Sequence, residues 1–316
     1  MKALITGISG FAGSYLAEFL INKGYRVFGT FYDKSTFSNL DNIFDKIEIF
    51  ECDIRNYNSL RTIIGKVRPD EIYHLAAISF VPNSLKDPKL TFDTNLYGTL
   101  NIYQAVIEQK INPKILFIGS ADEYGIVIDS NLPIKEEYPL QPVNPYSISK
   151  ASADYLSHFY FKSYDLNIVR VRPFNHIGPR QSPEFVCSNF SKQIVEIEKG
   201  MKEPVIMVGN LEAKRDFTDV RDMVRAYWLA IQKGELGDVY NICSGKAVSI
   251  KEILDKLLSI SKTNIKVKQD LNRMRSSDIP ILLGNFTKFR TQTSWEQEIS
   301  FEKTLRCILD YWRERL

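Results

Sequence analysis

Tyr146 and Lys150 are the residues of this sequence whose types and spacing are best suited to chemistry. Positions four apart on a helix share a face, so both side chains can reach one pocket. A lysine cation beside a tyrosine favours phenolate over phenol, and lowers a pKa that is about 10 in model compounds. The pair therefore predicts a general acid that works near neutral pH. The alternative is a surface pair that occurs by chance, because Y-x-x-x-K is a common pattern.

A glycine-rich loop joins the first predicted strand to the first predicted helix. The apolar run Lys2–Thr6 leads into Gly7, Gly10 and Gly13, and the helical pattern that follows stops at Gly24. Gly7 permits a tight turn, Gly10 lets a pyrophosphate approach the backbone, and Gly13 lets the helix pack closely on the strand. The spacing G-x-x-G-x-x-G is one residue off the dehydrogenase fingerprint, and it indicates the dinucleotide site of a related reductase class.

Composition limits the classes of protein and partner. The chain has 316 residues, of which 44% are hydrophobic and 25% charged, enough for a large lobe and a small one. A net charge of +3 without lysine-arginine blocks argues against a nucleic-acid partner. The sequence has no signal-peptide pattern and no apolar run near the length of a membrane span, so we expect a cytoplasmic protein with no membrane partner. Four scattered cysteines predict neither a metal site nor a redox dithiol.

Strand-like and helical segments alternate, which predicts an α/β fold with a doubly wound parallel sheet, the Rossmann architecture. We assign residues 1–172 to this domain, with a strand and helix near 220–245 returning to it, and 173–316 mainly to a smaller α/β lobe. The predicted strands are 25–31, 47–52, 71–76, 114–118, 167–171, 205–208 and 239–242. The predicted helices are 56–67, 89–109, 145–164, 186–199, 220–233, 250–261 and 301–314.

Several candidate residues follow the predicted strands, at the edge where open parallel sheets bind ligands. These residues are Gly7, Asp53, Ala76, Ser120 and Asn175. The Ser120 hydroxyl could hold a carbonyl oxygen beside the tyrosine, or it could simply close a turn, and the Tyr–Lys pair favours the first. Asp53 could accept a hydrogen bond from an adenine amino group or cap the next helix, and both interpretations stay open.

With these residues in place, the sequence resembles the extended short-chain dehydrogenase/reductase family over essentially its whole length. The glycine loop, His74–Ala77, Asn95, Ser120 and the Tyr–Lys pair occur in that family's order and approximate spacing. The second half is similar to the branch that acts on GDP-sugars, in the segments Arg172–Arg180, Val208–Asp222 and Tyr240–Gly245. The resemblance implies an NADP(H)-dependent reductase of the C4 ketone of a GDP-4-keto-6-deoxy-hexose, whose second lobe binds the nucleotide sugar.

The resemblance also implies roles for individual residues. Ser120, Tyr146 and Lys150 form the catalytic set, in which Lys150 bonds the nicotinamide ribose and Tyr146 protonates the alkoxide formed at C4. The implied cofactor-binding residues are Gly7, Gly10, Phe11, Ala12, Gly13, Tyr32, Asp53, Ile54, Leu75, Ala76, Ala77, Asn95, Tyr146 and Lys150. The implied substrate-binding residues are Ser79, Ser120, Asn175, Lys192, Arg215, Arg275 and Asp278.

The loop after Ser120 bears on the choice between reduction and dehydration. A dehydratase must also remove the C5 proton and expel the C6 hydroxyl, work for which the family uses a Glu two positions before the loop's Tyr-Gly. Asp122 stands at that position and is one methylene shorter, so a displaced carboxylate favours the reductase. Glu123 could substitute for it, or be a solvated loop charge. GDP-mannose 4,6-dehydration, 4-epimerisation of a nucleotide sugar and a non-enzymatic dinucleotide-binding regulator are therefore the alternatives.

Cofactor choice depends on the end of the second strand. NAD-preferring folds place an acid there, and this sequence has Phe31, which removes repulsion against a 2′-phosphate. The arginine of related GDP-sugar enzymes is replaced by Tyr32, while Lys34 could compensate and Asp33 could bind a bare ribose. We therefore favour NADP(H), with NAD(H) as the alternative.

Arginines are the candidates for the substrate diphosphate, because a guanidinium donates hydrogen bonds in pairs. We favour Arg215 over Arg275. Arg275 is followed by a serine where the family has Arg-Pro, and Arg273 nearby could take its role. For each arginine the alternative is a solvated charge or a structural ion pair. Lys192 could reach the base or be a plain surface lysine.

Aromatic residues occur on several sides of the predicted helices 89–109 and 145–164. The family pairs these helices across a two-fold four-helix interface, which implies a homodimer. A buried helix in a monomer would carry a similar pattern.

Overall fold

The apolar runs of the first half form parallel strands, as their spacing predicts. The computed structural model describes residues 1–270 and 279–316. Within them the strands are β1 (Lys2–Thr6), β2 (Arg26–Phe31), β3 (Ile47–Glu51), β4 (Glu71–His74), β5 (Lys114–Ile118), β6 (Ile168–Pro173), β7 (Asn175–Ile177), β8 (Val205–Val208), β9 (Lys214–Asp219), β10 (Val239–Ile242), β11 (Ala247–Ser249), β12 (Lys266–Gln269) and β13 (Ile281–Leu282). The helices are α1 (Phe11–Asn22), α2 (Tyr57–Val67), α3 (Val81–Lys86), α4 (Pro88–Phe92), α5 (Gly98–Glu108), α6 (Pro145–Tyr164), α7 (Val186–Glu198), α8 (Val220–Lys233), α9 (Ile250–Ser259), α10 (Thr287–Thr293) and α11 (Phe301–Arg315).

The large sheet has, in the described part of the chain, seven parallel strands in the order β10-β6-β5-β4-β1-β2-β3. Strand order reverses between β1 and β4, and ligands of doubly wound sheets bind at such a switch point, beyond the carboxyl ends of the strands. The predicted α/β doubly wound fold is confirmed.

Both faces of this sheet are buried by helices, and each face has its own apolar core. Full burial of one large aliphatic side chain contributes about 1.5–3 kcal/mol. On the face covered by α1 and α8 the core includes Ile5, Leu16, Leu20, Val169, Met223 and Val224. On the face covered by α2, α5 and α6 it includes Leu4, Leu60, Ile64, Ile102, Val106 and Ile115.

The second half forms a smaller lobe around its own core. Strands β11, β9 and β13 pair side by side and β7 joins β9, while β12 pairs with β8. Side chains of α7, α9 and α11 pack together there, among them Ile194, Ile253, Leu254, Ile308 and Leu309. Strand β10 pairs with β6, and α8 packs against α1, so residues 220–242 are part of the layers of the large sheet. The domain boundary near residue 172 stays a prediction.

The predicted helix 89–109 is divided in the structure. A π-helical turn at Asp93–Tyr97 separates α4 from α5. Asn95 lies in this turn, and its amide bonds both the N–H and the carbonyl of Ile78, at 2.8 and 3.0 Å. These tertiary bonds account for a local distortion that the helical pattern does not encode.

Within residues 1–270 and 279–316, no helix has the length and apolar character needed to cross a bilayer.

Candidate active site

The sheet order brings four sequence-predicted residues together at one edge. Strands β6, β5, β4 and β1 are neighbours, and all run in the same direction. Gly7 follows β1, Ala76 follows β4, Ser120 follows β5 and Asn175 follows β6. These residues therefore line the carboxyl edge of the sheet at the switch point.

The glycine loop has the geometry of a phosphate cradle. Gly7 has a φ of +72°, and a Cβ there would meet the Ala76 backbone at 3.0 Å. A Cβ on Gly13 would lie 2.2 Å from the carbonyl oxygen of Gly7, so only glycine lets α1 approach β1 this closely. Gly10 is the N-cap of α1 and places no side chain over the helix N-terminus. The residues present thus fit the pyrophosphate of a dinucleotide.

Tyr146 and Lys150 lie in the first two turns of α6, as their spacing predicts. Asn144 caps this helix by accepting from the Ser147 N–H at 2.9 Å, and Pro145 occupies the first helical position. The N–H of Tyr146 donates to Ser84 Oγ at 3.2 Å. The side chains of Asn144 and Ser84 therefore fix the start of α6, and with it the position of Tyr146.

Ser120 lies beside Tyr146 at the start of a 3-10 turn, Ala121–Tyr124. Its hydroxyl accepts from the Asp122 N–H at 3.2 Å and is hydrogen-bonded to the Tyr146 phenol. The structure thus brings the three predicted catalytic side chains to one place, with Tyr146 and Lys150 only 8% and 5% exposed.

The expected effect of Lys150 on the pKa of Tyr146 is wrong in direction for this structure. Burial, assisted by the nearby Asp122 charge, raises the pKa of the phenol above its usual range, although the bond from Ser120 opposes the rise. Lys150 Nζ instead donates to the carbonyl of Ile118 at 2.6 Å. Burial lowers the pKa of Lys150 to about 8, and the carboxylate of Glu123 opposes that shift. Tyr146 is thus protonated at neutral pH.

The expectation that Glu123 is a solvated loop charge is wrong. Its side chain is fully buried, and Oε1 accepts the backbone N–H of Ser120 at 2.7 Å. Oε2 lies 3.3 Å from Arg172 Nε, and the same nitrogen lies 3.0 Å from Asp154 Oδ2. Arg170 pairs with the other oxygen of Asp154. Glu123 thus belongs to a buried ionic cluster under the active site, of which Arg172, Asp154 and Arg170 are the other members.

This cluster was missed by sequence reasoning, although the sequence carries one signal for it. Arg170 and Arg172 interrupt an otherwise apolar run, and a charge inside a buried strand needs a partner. Asp154 is one helical turn beyond Lys150, on the same face of α6. Nothing in the sequence pairs these residues with Glu123, because the contacts depend on the order of β5 and β6 in the sheet.

The segment after β4 packs against the glycine loop. The N–H of Ala76 donates to Thr6 Oγ1 at 3.1 Å, and that hydroxyl also bonds His74 at 2.8 Å. Leu75 and Ala77 flank Ala76 and are half-buried. Asn95 bonds the Ile78 backbone and the hydroxyl of Ser149, the residue before Lys150.

The candidates for the adenine end lie at the ends of β2 and β3. Asp53 does not cap α2, because Asn56 does so. Its carboxylate bonds the side chain and the N–H of Arg55, at 2.5 to 3.0 Å. The Arg55 guanidinium lies 5.8 Å from the ring centre of Tyr32, which is 70% exposed. Arg55 is a cation at this edge that sequence reasoning overlooked. Of the other cofactor candidates, Ile54 is buried, and Phe11 and Ala12 begin α1.

The predicted substrate residues lie on the small lobe and beside it. Asn175 begins β7, which pairs with β9, the strand that carries Arg215. Ser79 is exposed after β4. Lys192 lies on α7, 3.9 Å from a carboxylate oxygen of Glu196. The predicted Arg275 and Asp278, with the alternative Arg273, lie outside the described residues.

Comparisons with known proteins agree with this geometry. A family model described as GDP-mannose 4,6 dehydratase matches residues 4–308. The GDP-6-deoxy-D-mannose reductase of Pseudomonas aeruginosa is 33% identical over 315 residues, which cover 100% of this chain and 98% of that protein. A GDP-mannose 4,6-dehydratase of Yersinia enterocolitica is 30% identical, covering 96% and 91% of the two chains.

A solved structure has the same fold over the same length. The structure of RMD from Pseudomonas aeruginosa complexed with NADPH has a TM-score of 0.87 and 32% identity, covering 100% of this chain and 99% of that one. The resemblance drawn from the motifs is confirmed. This chain belongs to the GDP-mannose 4,6 dehydratase family, within the extended short-chain dehydrogenases/reductases.

Proposed function

We propose that this protein is an NADP(H)-dependent reductase of the C4 ketone of a GDP-4-keto-6-deoxy-hexose, acting on GDP-4-keto-6-deoxy-D-mannose to form a product of the GDP-D-rhamnose type. The observation that carries the proposal is the buried cluster of Ser120, Tyr146 and Lys150 beside a glycine loop shaped for a dinucleotide. A GDP-6-deoxy-D-mannose reductase that matches nearly the whole chain supports the substrate.

The chemistry of the chain's own residues follows from their protonation. When bound, NADPH supplies the hydride that reduces the ketone. Tyr146 keeps its proton at neutral pH, because burial raises the pKa of its phenol. A developing alkoxide is a stronger base than a phenolate, so the proton moves from the phenol to the C4 oxygen. Ser120 directs the ketone oxygen towards Tyr146, and the Lys150 ammonium stabilises the negative charge left on the phenolate.

The dinucleotide is held, in this proposal, by the residues around the glycine loop and the ends of β2 to β5. Gly7, Gly10 and Gly13 with the start of α1 receive the pyrophosphate. Asp53 and Ile54 would hold the adenine, and Ala76 with its neighbours would hold the nicotinamide half. Phe31 at the end of β2 presents no acid to a 2′-phosphate, which supports NADP(H) over NAD(H).

The nucleotide sugar lies across the lobes. We assign Ser79, Ser120 and Asn175 to the sugar and Arg215 to the diphosphate, because Arg215 is half-buried on a strand next to Asn175. Lys192, Arg275 and Asp278 stay predictions for the nucleoside end, as does the division of the chain into residues 1–172 and 173–316.

Dehydration of GDP-mannose is the second candidate, because a GDP-mannose 4,6-dehydratase matches the chain almost as widely. The loop residue available for that proton transfer is Asp122. Glu123 cannot take the role in the observed arrangement, because its carboxylate is buried against Arg172 and the Ser120 backbone. A shorter carboxylate at position 122 favours the reductase.

The two reactions differ in cofactor balance, which gives the test. Purified protein is mixed with NADPH and GDP-4-keto-6-deoxy-D-mannose, and absorbance at the nicotinamide band is followed. Loss of one NADPH for each sugar reduced supports the proposal. Turnover of GDP-mannose without net NADPH change would instead assign a dehydratase. NADH in a parallel reaction tests the cofactor preference.

We also propose a homodimer through the outer face of α5 and α6. Large apolar side chains on and beside these helices are 36 to 62% exposed, among them Tyr97, Ile107, Ile148, Tyr155 and Phe159. So much apolar surface on two neighbouring helices is typical of a face that a partner covers. A location in the cytoplasm stays a prediction.

A further inference from the structure

Glu123 is a fully buried carboxylate in the loop that carries Ser120, and the reduction as described does not use it. A carboxylate out of water is costly unless it is paired and hydrogen-bonded. In the described part of the chain Oε2 accepts no hydrogen bond, although Arg172 lies beside it. Burial, assisted by the Asp154 charge, raises the pKa of Glu123 well above its usual range, and Arg172 and the Ser120 N–H oppose the rise.

The contacts of Oε1 fix the position of Ser120. Oε1 accepts the Ser120 N–H at 2.7 Å, while Ser120 Oγ accepts the Asp122 N–H at 3.2 Å, which closes a capping box around the turn. A Cβ on Gly119 would lie 2.5 Å from Oε1, so the chain has a glycine where the carboxylate reaches under the strand end. The carboxylate therefore fixes the position of Ser120 through its backbone N–H.

The Glu123 carboxylate and the Lys150 ammonium are not in ion-pair contact. Burial raises the pKa of Glu123 and lowers that of Lys150, and the charge of each group opposes the shift of the other. The other groups around the ammonium are uncharged: the Ile118 carbonyl at 2.6 Å, the Phe117 ring at 5.5 Å, and His74, whose pKa burial lowers to about 3. Facing Glu123 from α6 and β6 are Asp154 and Arg172, which oppose one another.

We propose that Glu123 is a positioning residue for the reduction: its carboxyl group clamps the backbone of Ser120 beside Tyr146 and, when ionised, favours the ammonium form of Lys150. The proposal rests on the proposed function for its kinetic consequences. It assigns two separable tasks to one side chain, a hydrogen bond and a charge.

Two substitutions separate these tasks. Glu123→Gln keeps an oxygen for the Ser120 N–H but removes the charge, whereas Glu123→Asp keeps the charge but is one methylene too short to reach that N–H. For the Gln variant we expect the basic limb of the kcat–pH profile to move to lower pH, because Lys150 loses its proton more easily without the anion. For the Asp variant we expect kcat to fall between about tenfold and 10²-fold, with the limb unmoved and KM little changed.

A readout that does not need turnover is the titration of Lys150 itself. Protein with ¹³C at the lysine ε-carbon is titrated by NMR, and the Lys150 signal is assigned as the one missing from Lys150→Arg. The expected midpoint is lower in Glu123→Gln than in wild type and unchanged in Glu123→Asp. Glu136→Gln is the matched control, because Glu136 is a half-buried acid that bonds the Asn241 N–H at 2.8 Å and does not touch Ser120.

The outcomes are distinct. Wild-type kcat and a wild-type Lys150 midpoint in both variants, with thermal unfolding showing them folded, would overturn the inference. A fall in activity in Glu123→Gln with the midpoint and pH limb unmoved would overturn the charge role. If the wild-type protein does not reduce the keto sugar, the proposed function fails, and the NMR titration still decides the charge role of Glu123.

Discussion

In the proposed reduction, Tyr146 must give up a proton that its buried environment favours keeping. Burial raises the pKa of its phenol, and an acid with a high pKa remains fully protonated until a stronger base arrives. The proposed C4 alkoxide is such a base. At the scale of the residue, we therefore expect the site to keep Tyr146 protonated until the alkoxide forms, and the charge of Lys150 to stabilise the phenolate afterwards.

Replacing Tyr146 with Phe removes the acid and leaves the ring. We expect kcat for the keto sugar to fall by about 10²–10⁴-fold, the usual contribution of a general acid. NADPH affinity should fall far less, because the glycine loop and the start of α1 hold the pyrophosphate. Stopped-flow NADPH oxidation measures the first quantity and a fluorescence titration the second. Tyr57→Phe is the control, since that hydroxyl bonds Glu108 at the surface. Full activity in Tyr146→Phe would remove the tyrosine from the mechanism.

The protonation of Lys150 predicts a pH dependence. Burial lowers its pKa to about 8, so the ammonium is present below that pH and is lost as the pH rises through it. Because the proposed mechanism needs the cation, we expect kcat to fall above about pH 8.

Lys150→Arg tests this assignment, since a guanidinium stays charged to a pH above about 12. The residual activity of this variant should show no basic limb below pH 10, whatever its absolute rate. A limb that remains at the wild-type pH would mean that another group titrates there.

At the scale of the element, Asp216 on β9 connects this strand to the loops that follow β10 and β13. Its carboxylate is fully buried and accepts the N–H groups of Ser244, Gly245 and Gly284 at 2.7, 2.9 and 3.4 Å, with the Ser244 hydroxyl at 2.6 Å. Burial raises the pKa of Asp216 to about 6, although these hydrogen bonds oppose the rise. One side chain thus ties β9 to the ends of β10 and β13.

Asp216→Asn should destabilise the protein by about 1–3 kcal/mol, because the amide group would turn its own donors towards backbone donors. Urea unfolding at pH 7 measures the loss. Asp255→Asn is the control, since Asp255 is an exposed partner of Lys251 and such pairs contribute little. Equal stabilities of the two variants would contradict the role given to Asp216.

The elements and site residues that local contacts determine could be predicted from sequence, whereas those that depend on contacts between distant segments could not. β1 and β5 are apolar runs bounded by glycine, and Tyr146 and Lys150 are one turn apart on one helix, so local patterns identify them. β9 was not predicted, because Lys214–Asp219 is mostly polar and its acid is compensated by residues about 30 and 70 positions away. Glu123 was misjudged for the same reason, because Arg172 reaches it only through the pairing of β5 with β6.

At the scale of the whole molecule, the outer face of α5 and α6 would be exposed to water in a monomer and covered by a partner in a dimer. Tyr155 and Phe159 lie one turn apart on α6 and are 62% and 50% exposed, while the opposite face of α6 packs into the core and carries the catalytic pair. A dimer through this face would brace the helix that holds Tyr146. Assembly and catalysis would then be linked through α6.

Phe159→Asp should convert the dimer to a monomer, because it would place a charge in an apolar interface. Size-exclusion chromatography with light scattering measures the mass, for which the chain value is 36.4 kDa. Met201→Asp is the matched control, because Met201 is 59% exposed in the loop after α7, away from these helices, and should leave the mass unchanged. A wild-type mass equal to one chain would refute the interface. If Phe159→Asp is monomeric and folded, its kcat should also fall, since α6 loses the support of the partner helices.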